Sequence, residues 1–167
     1  MTDQTDAAPQ GGEQDARPNA LPIVVNAQYV KDLSFESPRA PHSLLPNQPQ
    51  PQVEIGVDVR TQRLADDVYE VVLSLRGEAK AADATVFIVE LAYGGIFTLT
   101  GLPAEHVRPV LMIEGPRLLF PFARAIVADT TRDGGFPPLM LNPIDFAELF
   151  RRQLAQGTDG QGDTAQA

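Results

Sequence analysis

The sequence predicts an α+β fold, a four-stranded antiparallel sheet with helices packed on one face. Three patterns carry this expectation. Apolar and polar residues alternate through four stretches before residue 100, the period of strands with one buried face. Residues 117–128 carry apolar side chains all around a helical wheel, and a helix apolar on every side must be buried on every side. Proline and glycine gather between these regions, where they mark loops. Antiparallel strands with one apolar face then need a helical layer over it.

Taken in order, residues 1–20 hold too few large apolar side chains to offset the entropy of ordering, so they read as a disordered tail. Residues 21–36 alternate: Ile23, Val25, Ala27, Tyr29, Leu33 and Phe35 are expected on one face, with Asn26, Gln28, Asp32, Ser34 and Glu36 on the other. Repeated proline from Pro38 to Pro51 cannot continue a strand and reads as a long crossing loop. Val53, Ile55, Val57 and Val59 give a second strand. Tyr69, Val71, Leu73 and Leu75 give a third, joined to it by a tight link at Ala65-Asp66-Asp67. After a connection over residues 77–84, Phe87, Val89, Leu91 and Tyr93 oppose Ile88, Glu90 and Ala92 in a fourth, where Gly94-Gly95 suggests a bulge or bend.

The helices follow. Residues 104–113 read as a short helix that Gly115-Pro116 interrupts before the central one, with Pro121 expected to kink its axis. Arg132-Asp133-Gly134-Gly135 supplies a stop. Phe136-Pro-Pro-Leu-Met-Leu is extended, because proline biases its predecessor away from helix. Asn142-Pro143 reads as cap and first residue of an amphipathic helix with Phe146, Leu149, Phe150 and Leu154 on one stripe, and from Gly157 onward the chain reads as a disordered acidic tail. The folded domain is thus placed at residues 21–156. Residues 117–128 are too short to span a bilayer, so sister subunits are expected to cover the side the sheet leaves open. Leu119, Phe122 and Ile126 are the expected interface residues.

Charge and composition narrow the function. Lys+Arg 13 against Asp+Glu 22 gives a formal charge of −9, which disfavours nucleic acid and anionic membranes and suits a basic protein partner. With Cys 0, disulfides, thiolate metal sites and cysteine nucleophiles are excluded. His42 and His106 have no ligand partners at metal spacing, and neither glycine pair has the context of a phosphate-binding loop, so no cofactor, no metal and no ATP chemistry are expected. Asp66-Asp67 are turn residues. The N-terminus shows neither a basic nor an apolar signal region, and the cytoplasm is the expected address. A binding protein fits these features better than a small-molecule enzyme working through His106 and a nearby carboxylate. Two surfaces stand out: the sheet face carrying Asp32, Glu36, Ile88 and Glu90, which could be merely solvated, and the loop carrying Phe136, Leu139 and Met140, which is either a core closure or one wall of an apolar groove.

Five segments, in consistent order across about residues 21–156, carry a specific resemblance. They are Tyr29-Val-Lys-Asp-Leu-Ser-Phe-Glu-Ser-Pro, Leu64-Ala-Asp-Asp-Val-Tyr-Glu-Val-Val-Leu, Gly94-Gly-Ile-Phe, Leu119-Phe-Pro-Phe-Ala-Arg and Gly135-Phe-Pro-Pro-Leu-Met-Leu-Asn-Pro-Ile-Asp-Phe. Together they resemble the SecB protein-export chaperone family. The resemblance implies an ATP-independent cytoplasmic chaperone, a homotetramer built as a dimer of dimers, that binds unfolded precursors of exported proteins and passes them to the SecA motor. It implies SecA contacts at Asp32, Glu36, Ile88 and Glu90, and a client groove near Tyr29 and Phe136, with Leu139 and Met140 beside them. Relatives can carry a Trp in the crossing loop, whereas Trp is 0 here and Leu44-Leu45 stand in that region. A related chaperone dedicated to a toxin–antitoxin pair is the alternative duty.

Overall fold

The computed structural model describes residues 22–159. The expected tail at residues 1–20 and most of the C-terminal one lie outside them. Four strands, β1 (Ile23–Glu36), β2 (Gln52–Ala65), β3 (Val68–Ala81) and β4 (Ala84–Leu99), form one antiparallel sheet in the order β1-β4-β3-β2. Two helices follow, α1 (Ala104–Asp133) and α2 (Phe146–Asp159). Both lie on the side of the sheet onto which Val71, Leu73, Leu75, Val89, Leu91 and Phe97 project, each at most 3% exposed.

The central strands follow the alternation closely, because they are covered on one face and paired on both edges. Strand β3 runs further than expected, and the connection to β4 shrinks to a tight turn whose residues Ala82 and Asp83 take φ of 49° and 62°. Strand β4 passes through Gly94 and Gly95 with no register shift against β3, so the glycines are not a bulge in β4. They are points of close approach. A Cβ on Gly95 would stand 2.7 Å from the Phe97 ring and 2.8 Å from Leu119.

Strand β1 departs from the expected pattern. Its register against β4 shifts between Val25 and Ala27 and again between Val30 and Asp32. Each extra residue inverts the sequence alternation once. Ile23, Val25, Leu33 and Phe35 therefore stay on the helix side, aligned with Leu99, Phe97, Leu91 and Val89, while Ala27 and Tyr29 align with Ile96 and Gly94 and turn to the outer face.

The expected break in the helix layer is also absent. Helix α1 is continuous over 30 residues, with Pro109, Pro116 and Pro121 inside it. An interior proline costs a helix about 3 kcal/mol, so burial must offset the loss. Gly115 lies so close to the sheet that a Cβ there would meet Val71 at 2.9 Å, and Pro116 is fully buried beside it. Gly115-Pro116 is thus a point of close helix–sheet packing, not a joint. Helix α2 starts later than expected, at Phe146. Its cap is Asp145, whose Oδ1 accepts from the Glu148 amide at 3.0 Å, while Asn142 and Pro143 remain in the extended segment. It also runs past Gly157, where a tail was expected.

Candidate functional site

Two surfaces lie back to back across the sheet. On the outer face, β1 and β4 set Glu36 opposite Ile88, Ser34 opposite Glu90 and Asp32 opposite Ala92. Asp32, Glu36, Ile88 and Glu90 thus share one face, with Asp32 and Glu36 exposed and Ile88 half-buried between strands. The structure adds a basic residue to them. Arg76 of β3, in register with Glu90, donates through Nη1 to Glu90 and through Nη2 to Glu78 at 2.9 Å. That hydrogen bond holds the Glu78 carboxyl below its usual range, with a smaller contribution from Thr85. Arg76, Glu90, Asp32 and Asp58 border a shallow hollow of about 450 Å³ floored by Gly56, Ser74 and Ala92.

Tyr29 belongs to this face. Its hydroxyl donates to Glu70, and Lys31 Nζ donates to the same oxygen at 2.7 Å. Glu70 is only 7% exposed. The two donors hold its carboxyl below the usual range, while burial and the Glu70 charge push the Tyr29 hydroxyl up to about 12. The expectation that Tyr29 lines a groove with Phe136 is therefore corrected: the shift after Val25 carries it to the opposite side of the sheet.

The apolar surface lies on the other side, at the end of the sheet. The Phe136 ring lies 4.9 Å from that of Phe87 and 6.3 Å from that of Phe35, and these last two stack at 5.9 Å. Phe87 thus takes the place expected for Tyr29, with the Phe35 ring packed against it and against Phe136. Phe136, Phe87, Leu139 and Val53 wall a cleft of about 320 Å³ that the crossing loop closes with Arg39, Pro49 and Pro51. A second hollow of about 320 Å³ continues it past Ile55, Met140 and Ile144, with Val53 and Leu139 common to both. Met140 is 58% exposed. The loop is held from behind. Buried Thr131 in the last turn of α1 accepts the Leu139 amide at 2.9 Å and donates back to α1 carbonyls, and Gly134 leaves room for the Phe35 ring, which a Cβ would approach to 2.3 Å.

The expected interface residues separate. Leu119 is completely buried within the protomer, pressed onto Gly95, and offers no contact to another chain. Phe122 is 51% exposed and stacked on Tyr93 at 6.5 Å, and Ile126 is half-buried. The sequence reading missed Leu118, exposed on the same helix, and Val30 and Leu33 of β1, exposed on the helix side of the sheet. No group of three acidic or histidine side chains that could hold a metal occurs among the described residues. No described helix is long and apolar enough to cross a membrane.

A four-stranded antiparallel sheet with two helices on one face is the architecture of SecB-like chaperones. That of Mycobacterium tuberculosis, solved in complex with a ChAD peptide from an antitoxin, aligns with a TM-score of 0.62 and 16% identity over 73% of this chain and 90% of that one. The family model of preprotein translocase subunit SecB matches residues 14–157. Protein-export protein SecB of Rhodospirillum centenum is 55% identical, over 96% of this chain and 98% of that protein, and its namesake from a Bradyrhizobium species is 51% identical over 88% and 93%. The chain belongs to the SecB family of protein-export chaperones.

Proposed function

We infer that this chain is an ATP-independent cytoplasmic chaperone that holds unfolded precursors of exported proteins in the apolar cleft and docks SecA on the acidic outer face. The observation that carries the reading is the continuous groove through Phe87, Phe136, Leu139 and Met140, apolar and walled by strand residues on one side and irregular backbone on the other. Such a groove selects by state: an unfolded chain exposes apolar and aromatic segments that a folded one has buried. Each contact contributes little, but a client lying over several subunits gains by effective concentration. A dimer of dimers fits the uncovered apolar band of Leu118, Phe122, Val30 and Leu33, whose burial between subunits removes it from water.

Antitoxin binding, as in the Mycobacterium tuberculosis neighbour, is the second reading. The 16% identity to that protein, against 55% to an export protein, favours export. The purified protein should delay refolding of a slow-folding precursor at stoichiometric ratio, and it should bind SecA in a manner that the triple variant Asp32→Lys, Glu36→Lys, Glu90→Lys abolishes. No delay for any precursor sinks the client assignment, and undiminished SecA affinity in the triple variant sinks the docking assignment. Proteins recovered with it from its own cells separate the two duties: exported precursors and SecA, or a single antitoxin.

A further inference from the structure

The three acids of the outer face are not equivalent. Asp32 and Glu36 have no ion-pair partner among the described residues, whereas Glu90 is already paired with Arg76. Arg76 reaches two carboxylates at once, and these differ in what else holds them. Glu78 is 17% exposed in its side chain, accepts from the Thr85 hydroxyl at 3.1 Å on its other oxygen, and has Lys80 Nζ at 3.6 Å. Glu90 is 47% exposed in its side chain and has no cation other than Arg76 among the described residues. The guanidinium therefore has one anchored end and one end that faces solvent and the docking surface.

We propose that Arg76 is an internal competitor for Glu90, so that a basic partner binds this face by exchanging one ion pair for another. This rests on the reading of the face as the docking site for SecA. An incoming Lys or Arg displaces the Nη1 arm, and the Nη2 arm stays on Glu78, so the displaced cation keeps a partner and is not driven into solvent. Three consequences follow from charge alone. Glu90 contributes less to binding than the unpaired Asp32 and Glu36. Of the four carboxylates Asp32, Glu36, Glu78 and Glu90, Arg76 offsets one, so these positions attract a distant cation as three net negative charges and not four, which lowers encounter rate and salt sensitivity. Arg76 thereby sets how tightly the face holds its partner, leaving the contact readily reversible.

The two carboxylates give Arg76 opposite levers. Arg76→Ala removes the competitor and should tighten binding. An exposed pair contributes little, so the expected gain is about two- to fivefold, with a steeper decline of affinity in added salt. Glu78→Gln removes the charge of the anchor, leaves Glu90 as the only carboxylate for Arg76, and should weaken binding by a similar factor. Both positions are on the outer face, away from the core.

The test is isothermal titration of purified SecA into the full chain at low and moderate salt, with Asp32→Lys as a control for the face. Opposite signs for Arg76→Ala and Glu78→Gln, together with a larger loss on Glu90→Gln in the Arg76→Ala background than in the parent, establish the competition. Weaker or unchanged binding in Arg76→Ala, while Asp32→Lys still reduces affinity, overturns it and makes Arg76 a direct contact or a bystander on a valid docking face. Unchanged affinity in Asp32→Lys overturns the docking reading and this inference with it.

Discussion

The Tyr29 hydroxyl reaches Glu70 by crossing over the strand that separates them, and it does so where Gly94 has no side chain. Edge strand β1 is thereby fastened to β3 through a carboxylate that has been taken out of water. With Lys31 on the same oxygen, the buried charge is compensated, as a buried carboxylate must be if it is to remain ionised. The shifted register of β1 and this three-residue bond are parts of one arrangement.

Its pH dependence has two limbs. The Tyr29 value is raised from 10.0 to about 12, so its share of stability is complete below pH 10 and is lost as pH rises toward 12. The Glu70 value is lowered from 4.5, so its share is complete above that and lost as pH falls through the depressed value. Denaturant unfolding between pH 3 and 12 should show a steeper alkaline decline in the native chain than in Tyr29→Phe, and a steeper acid decline than in Glu70→Gln. Parallel curves would show that the bond contributes nothing to folding.

Gly94→Ala should break the same bond by sterics. A Cβ there would lie 2.7 Å from both Cε2 and Cζ of Tyr29, so the ring has to leave and Glu70 loses a donor. The expected cost is about 1–3 kcal/mol, with faster amide exchange along β1. In a Tyr29→Ala background the glycine substitution should be much milder, which identifies the ring as the cause.

Leu119 and Phe122 should separate folding from association. Leu119→Ala empties a fully buried site and should cost about 2–5 kcal/mol of stability. Phe122→Asp alters a ring that is 51% exposed in the protomer, so the fold should survive while light scattering reports a smaller assembly. A tetramer unaffected by Phe122→Asp would remove α1 from the subunit contact.

Thr131→Val keeps shape but strands the Leu139 amide, whose acceptor is the Thr131 hydroxyl. Loss of a buried partner costs about 1–3 kcal/mol, and exchange at Leu139 should rise before that of the α1 core. Capture of a denatured precursor should weaken while SecA docking persists. Equal weakening of both would mean the fold itself has loosened.

Phe136→Ala should weaken precursor capture about tenfold or more, since truncating an aromatic anchor typically costs about 2 kcal/mol at an interface. Tyr29→Phe should leave capture unchanged, because Tyr29 lies on the other side of the sheet. Delay of refolding at fixed ratio measures both. A Tyr29→Phe effect as large as that of Phe136→Ala would place the groove elsewhere.

Alternation in sequence reads faces correctly where a strand is regular, and Phe87, Val89, Leu91 and Tyr93 in β4 are the clear case. It misplaces Ala27 and Tyr29 because an extra residue in a ladder leaves no mark on the pattern until the register is known. The supposed break at Gly115-Pro116 is a local rule overridden by packing against Val71. Asp145 was hidden behind Asn142-Pro143, a pair that imitates a helix start. Arg76 could not be singled out, since its link to Glu90 exists only once β3 and β4 are aligned. Composition alone likewise does not separate buried Leu119 from exposed Phe122, because both lie in the same apolar run.

The alternation of β4 places Phe87 and Val89 toward the helices and Ile88 and Glu90 away from them. Consecutive residues of one strand thus serve opposite sides, and a polypeptide resting in the cleft leaves the acidic side unobstructed. Transfer in the proposed export duty then has no need to wait for spontaneous loss of the cargo. On that reading a receiving protein is free to add first, and the cargo would change hands within a three-component assembly. The rate of handover should accordingly climb with receiver concentration beyond the cargo's own dissociation rate and level off once every carrier is engaged.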